Sequence, residues 1–280
     1  MMKTFTAFSF VLCLGSCGLL AQEANVSMRV YLVSMAEEIS ALKLGTGAGK
    51  NTARAFQYSQ AISYSGPQLM EISQGEVKKR KRIEFEDYDF VDEAEYFEGE
   101  EPPKDEPRAE EQLAPAAAKG PVPPYIQARR EETNNPELVA LATLPTNSNV
   151  ATVLMYPDSG GTFRTLVFDD DPSKLPYGHM RVHNLSPYDI TLRFDREGQP
   201  VILKTGQSSI AKPKNDKVMI YELAFFKDDR WKFQERNVIT VREEEQINFV
   251  VVRGGSSYFQ SGSGQRSGFL QTAALRRRRE

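Results

Sequence analysis

The chemistry open to this chain is concentrated between residues 169 and 183, where Asp169, Asp170 and Asp171 precede its only two histidines, His179 and His183. Carboxylate oxygens with imidazole nitrogens suit a divalent metal that activates water, which would make the chain a metal-dependent hydrolase. The spacing argues against it. On an extended strand the two histidines share a face but stand roughly 13 Å apart at about 3.3 Å per residue, too far for one ion unless the strand bends. Without the histidines, the three aspartates ahead of Pro172 read as an acidic turn, whose oxygens would suit calcium without catalysis. Nucleophilic chemistry has less support: Cys13 and Cys17 both lie in an N-terminal apolar segment, and Ser261-Gly262-Ser263-Gly264 has the spacing of a loop rather than of a nucleophile elbow. A phosphate loop at residues 45–52 fails because Leu44 and Asn51 stand where the motif needs Gly and Ser or Thr.

The elements around these residues read as strands. Leu166, Val167 and Phe168 form a β-prone run stopped by the aspartates and Pro172. Residues 179–183 alternate, with Met180 and Val182 on one face and His179, Arg181 and His183 on the other. Ile190, Leu192 and Phe194 alternate in turn after the turn-forming Asn184-Leu185-Ser186-Pro187-Tyr188. Three short strands separated by turns predict one antiparallel sheet.

Residues 180–187, Met-Arg-Val-His-Asn-Leu-Ser-Pro, with the Arg-Phe-Asp strand and the Lys204-Thr205-Gly206-Gln207-Ser208 turn, resemble the start of immunoglobulin-like repeats of unknown function in secreted bacterial proteins. Residues 151–278 are similar to a wider group of secreted bacterial proteins with a DDDP, RVHNLSP and SGxGxRSGFLQ pattern, here at 169–172, 181–187 and 261–271. The resemblance implies a β-sandwich in an exported setting and carries no activity.

The rest of the chain supplies context. Lys3, an apolar run over residues 5–14 and small residues to Ala21 read as a signal peptide over 1–22, with Leu14-Gly15-Ser16-Cys17 also similar to a lipobox that would lipidate Cys17. Residues 26–33 predict a strand, and Ser34-Met35-Ala36-Glu37 has the spacing of a capping box ahead of a short helix ending at Gly45. Tyr58, Ile62, Tyr64, Leu69, Met70 and Ile72 predict two strands about Gly66-Pro67. Lys78, Lys79, Arg80, Lys81 and Arg82 are then followed by a long acidic run and a Pro- and Ala-rich stretch, too polar to offset its ordering entropy; about 95–134 is expected to be disordered. After Val150, strand and turn signals recur about every ten residues, including a hairpin through Pro157-Asp158-Ser159-Gly160-Gly161, to the terminal Arg276, Arg277, Arg278 and Arg279.

Together these predict an all-β, antiparallel immunoglobulin-like β-sandwich: a signal peptide at 1–22, strands at 23–75 joining the sandwich, a charged and largely disordered insert at 76–135, the main sandwich at 136–272 and a basic tail at 273–280. A formal net charge of −3 sets aside nucleic acid as a partner. The expected role is that of a non-catalytic module in the periplasm, outer envelope or medium. It would meet a protein or an envelope polyanion through a sheet face, the 78–82 run or the 276–279 run, and a membrane only through a lipid on Cys17 or the basic tail.

Overall fold

The computed structural model describes residues 24–47, 49–75, 120–195, 198–213, 218–253 and 269–279. The expected signal peptide with Cys17, the basic run Lys78, Lys79, Arg80, Lys81 and Arg82, and residues 261–268 of the glycine-rich pattern lie outside them. The chain is all-β, with one α-helix and one 3-10 turn, Ser159–Gly161, among the described residues.

Strands β1 (Asn25–Ser34), β2 (Ile39–Leu44), β3 (Asn51–Ala55), β4 (Ile62–Pro67) and β5 (Leu69–Gln74) precede helix α1 (Pro124–Thr133), and β6 (Leu138–Thr143), β7 (Val150–Pro157) and β8 (Phe163–Asp169) follow it. They form one sheet in the order β6-β5-β2-β3-β1-β7-β8, with β4 paired to the first half of β1. The sheet curls into a nearly closed barrel, and Thr165 Oγ1 on β8 reaches the Leu141 carbonyl on β6 at 2.5 Å. Val30, Leu32, Leu42, Met70, Ile72, Ala140 and Val153 fill its interior with no exposed surface. A buried side chain of this size contributes about 1.5–3 kcal/mol. The burial of β1 alternates at first and then becomes continuous, because its far end also packs into a cluster outside the barrel that contains Val33.

A second core belongs to β9 (His179–Asn184), β10 (Ile190–Phe194), β11 (Val201–Leu203), β12 (Ser208–Ala211), β13 (Val218–Lys227), β14 (Arg230–Thr240), β15 (Glu245–Arg253) and β16 (Leu270–Arg278). They make two four-stranded sheets, β11-β10-β13-β14 and β12-β9-β15-β16, whose facing sides close over Leu192, Leu223, Ile247 and Val251. A third cluster, with Val33, Met35, Leu154 and Phe168 on one side and Val250, Val252 and Leu275 on the other, joins the barrel to the sheet containing β15.

Several expectations need correcting. The three consecutive strands β8, β9 and β10 do not share a sheet: each enters a different one. The connection after β8 is pinned by the buried Leu175, and the next corner is built by Asn184, whose amide donates to the carbonyls of Tyr188 at 2.7 Å and Leu203 at 2.9 Å while its oxygen accepts from Ser186. Pairing is not purely antiparallel, since β1 runs parallel to β3 and β7, and β15 parallel to β9. The capping-box stretch is a tight turn into β2 rather than a helix: Ser34 Oγ accepts from Ala36 N, but Ile39, Leu42 and Leu44 enter the barrel core, and Ala41 at φ 59° bulges the strand. Residues 120–134, expected to be disordered, instead carry α1, which starts on Pro124 and ends at Asn134 in the left-handed region, with Ile126 fully buried.

The hairpin of β7 and β8 is as the turn residues predict, and its turn also holds the chain that leads into α1. Gly160 sits at φ 63°, and a Cβ there would stand 2.7 Å from the backbone of Val122. A Gly160→Ala substitution is therefore expected to cost about 1–3 kcal/mol through backbone strain and displacement of residues 120–123, read as a lower urea midpoint at unchanged slope.

Candidate functional site

Each of the three aspartates points to its own set of donors. Asp169 accepts from Ser148 Oγ at 2.7 Å, and Asp171 from the backbone and side-chain amides of Asn149 at 3.0 and 2.9 Å and from Ser173 N at 2.9 Å. The Ser173 and Asn149 donors hold the Asp171 carboxyl down at about 2 despite its burial. Asp170 turns inward, to Thr152 Oγ1 at 2.6 Å and to Asn248 Nδ2 at 2.9 and 3.0 Å, with Arg181 at 3.5 Å. His179 turns its Nδ1 to the Tyr177 carbonyl, whereas His183 is buried with its ring stacked 3.6 Å from that of Phe168. The proposed metal ligands are thus dispersed, and among the described residues no group of three or more His, Cys, Asp and Glu gathers to hold an ion.

Asp170 instead centres a polar junction between the barrel and the two-sheet unit. Its carboxylate accepts from Asn248 on β15, so the Asn248 amide must present its oxygen the other way, to His183 Nε2 at 2.9 Å. This orientation fixes the proton of the neutral imidazole on Nε2. Asn248 Nδ2 also donates to the Tyr58 hydroxyl at 2.9 Å. Arg277 on β16 sends Nη2 to the Asp170 carbonyl at 2.8 Å and to Gln246 Oε1, and its guanidinium lies 5.2 Å from the Tyr31 ring centre. Burial raises the Asp170 carboxyl, with Thr152, Asn248 and the two arginines pulling it partly back, and burial beside Asp170 raises the Tyr58 phenol. Burial lowers His183 to about 4, against the hydrogen bond it donates to Asn248, which alone would raise it.

The terminal arginines are a strand rather than a tail. On β16 they alternate: Arg277 points into the junction, while Arg276 and Arg278 close on the buried carboxylate of Glu245 at 3.1 and 3.3 Å. Arg279 stands over the Tyr177 ring at 5.6 Å. Arg276 and Arg278 share the one Glu245 carboxylate and keep 38% and 65% of their side-chain surface exposed.

What the fold leaves open is an apolar sheet face that sequence reading missed. In β13, Met219, Tyr221, Leu223 and Phe225 enter the core, so Val218, Ile220, Glu222, Ala224 and Phe226 face outward. Pairing sets Val238, Arg236, Phe233 and Trp231 beside the last four of these, and Ile202 lies on the same side two strands away. Of eight large apolar side chains exposed among the described residues, six lie on this face, so it is a patch rather than scattered exposure. A bulge between Leu223 and Ala224 in the pairing with β14 leaves Gln234 unpaired and resets the alternation, which turns Phe233 and Trp231 outward. The freed Gln234 side chain bridges to the backbone of Leu270 with two 3.2 Å bonds. A central row, Arg193-Glu222-Arg236, crosses the face with one carboxylate between two guanidinium groups. The parity switch in β14 leaves no mark in its sequence pattern.

No family model matches the chain, and no curated protein matches it.

Two measurements probe the junction. His183 is neutral when folded, with its ordinary value of 6.5 lowered to about 4, so its contribution is complete above pH 6.5 and lost as pH falls towards 4. The difference in unfolding free energy between the native protein and His183→Gln is expected to shift by about 3 kcal/mol across that window, at about 1.4 kcal/mol per pH unit. An Asn248→Leu variant leaves the Asp170 carboxylate, the Tyr58 hydroxyl and His183 without their shared partner, and is expected to cost about 3 kcal/mol or more in chemical denaturation.

Proposed function

We propose that the chain is an exported, non-catalytic interaction module that docks a protein partner on the outer face of the β11-β10-β13-β14 sheet. The observation that carries this reading is the apolar face itself, with Phe233 66% and Val238 57% exposed in register beside Trp231 and Phe226. Folding alone does not account for it, because apolar surface of this extent left in water is a liability to a monomer. Export is supported by the charge, apolar run and small residues of positions 1–22. The two facing four-stranded sheets, together with the sequence resemblance around residues 180–187, support an immunoglobulin-like sandwich for the second unit.

Size and charge select the partner. Ten residues by three strand spacings is about 33 Å by 15 Å, roughly 500 Å² a side. That suits a transient protein contact better than an obligate dimer, whose interfaces run to about 2,000 Å² or more in total. Two copies packed face to face would also oppose their Arg193-Glu222-Arg236 rows, each with an excess positive charge. A different protein bringing an apolar surface with a carboxylate at its centre fits both features.

Trp231 is the chain's only tryptophan and reports directly on this face. An envelope protein captured by the native chain is expected to blue-shift its emission and to bind the Phe233→Ser/Val238→Ser double variant at least tenfold more weakly, at an unchanged melting temperature. Equal binding by the double variant, an unshifted Trp231 in the purified complex, or concentration-dependent self-association in place of a partner would overturn the reading.

A further inference from the structure

A cleft of about 540 Å³ opens at one end of the barrel, remote from the sheet face, between the loop that follows β2, strand β4, the start of β5 and the end of α1. Its volume lies in the range of small-molecule sites, roughly 300–1,000 Å³, and barrel mouths are a common place for them. Its walls follow from local sequence. Gly45, at φ 53°, and Gly66 clasp the Tyr64 ring: a Cβ on the first would stand 3.3 Å from Cε2 and one on the second 2.9 Å from Oη. Tyr64 Oη donates to the Pro67 carbonyl at 2.8 Å, which fixes the ring as part of the wall. The glycines leave backbone accessible at the rim, where a ligand can approach it closely. Asn51 Nδ2 holds the loop in place through the carbonyls of Leu42 and Gly49 at 3.2 and 3.4 Å.

The chemistry of the lining is neutral and hydrogen-bonding. Hydroxyls of Thr46, Ser63, Ser65 and Thr133 and the amides of Asn51 and Asn135 alternate with apolar surface from Ile62, Pro67 and Leu69. The lining's two charged groups, Glu71 and Arg129, are paired with each other at 2.7 Å, and their side chains are each 19% exposed. An anionic ligand would have to compete with Glu71 for that guanidinium, and a cationic one with Arg129 for the carboxylate. Short hydroxyl side chains around apolar patches match a molecule that presents both O–H groups and C–H faces.

We propose that this cleft binds a short neutral saccharide, either free or as the end of a glycan chain. The inference is independent of the sheet-face reading, since the two surfaces share no residue. Calorimetry of the full chain with cellobiose, maltose and N,N′-diacetylchitobiose, and with glucose 1-phosphate as the anionic counterpart, tests it. At least one neutral disaccharide is expected to bind, and more tightly than glucose 1-phosphate. Thr46→Trp and Ser63→Trp, which fill the cleft from exposed positions, are expected to weaken that binding tenfold or more at an unchanged melting temperature. Retention on cellulose, amylose or chitin that the free disaccharide displaces would assign the site to a chain end, and binding of the disaccharide without retention would assign it to free sugar. Absence of heat with all three neutral sugars, preference for glucose 1-phosphate, or binding that both tryptophan variants leave intact would overturn the proposal.

Discussion

Asp170 carries a carboxylate that is 1% exposed, and the way this burial is offset ties the molecule together. An ion stripped of water costs several kcal/mol unless donors surround it in good geometry. Here Thr152 comes from β7 of the barrel, and Asn248 and Arg181 come from β15 and β9 of the second unit. Gln246 and Arg277 add bonds to the Asp170 main-chain carbonyl. Parting the two units would leave the carboxylate with Thr152 alone. The junction is therefore held less by the sum of its hydrogen bonds than by the cost of breaking them, because an unpaired buried charge is far worse than a pair never formed. The apolar cluster of Val33, Phe168, Val250 and Leu275 lines the same boundary and keeps water from substituting for the missing donors.

The Asp-rich turn and the Arg-Val-His-Asn-Leu-Ser-Pro stretch then have an architectural meaning. Arg181 donates to the Asp169 carbonyl at 2.8 Å, His183 orients Asn248, and Asn184 with Ser186 forms the corner that sends the chain from one sheet to its opposite. Residues whose types suggested metal chemistry are used to satisfy a buried carboxylate and to turn a corner. Type and proximity in sequence cannot separate these uses. Which way each side chain points decides, and that depends on sheets formed with strands more than sixty residues away, such as β15 against β9.

Legibility followed the range of the interaction that fixed each feature. Alternation in β9 and β10 and the β7-β8 hairpin rest on period two and on turn residues, and they were readable. The distribution of β8, β9 and β10 among three sheets was not readable, since each strand is short enough to satisfy its own pattern in any sheet. Nor was the fate of Arg276, Arg277 and Arg278. A run of like charges carries no alternation of type, yet as a strand it must place every second residue inside, and the carbonyl of Asp170 and the side chain of Gln246 made room for Arg277 there.

The polar and apolar parts of this molecule are in one respect inverted, and the inversion separates what folding needs from what it does not. Inside the junction, charged and amide groups are bound to one another, and every donor described for Asn248 and Asp170 has its acceptor within the chain. Arg277 Nε is the exception, buried there without a hydrogen-bond partner. On the outer sheet face the opposite holds: Phe233, Val238 and Trp231 could be polar without loss to the core, because the residues packing inward from the same strands are Ile239 on β14 and Leu223 and Phe225 on β13. The bulge in β14 sharpens the contrast. It interrupts a ladder to turn Phe233 and Trp231 towards water, and what it gains among the described residues is the Gln234 bridge to Leu270 and the edge-to-face contact of Trp231 with Phe226 at 5.4 Å. Apolar side chains held outward at the expense of regular pairing are not accounted for by packing within the described residues.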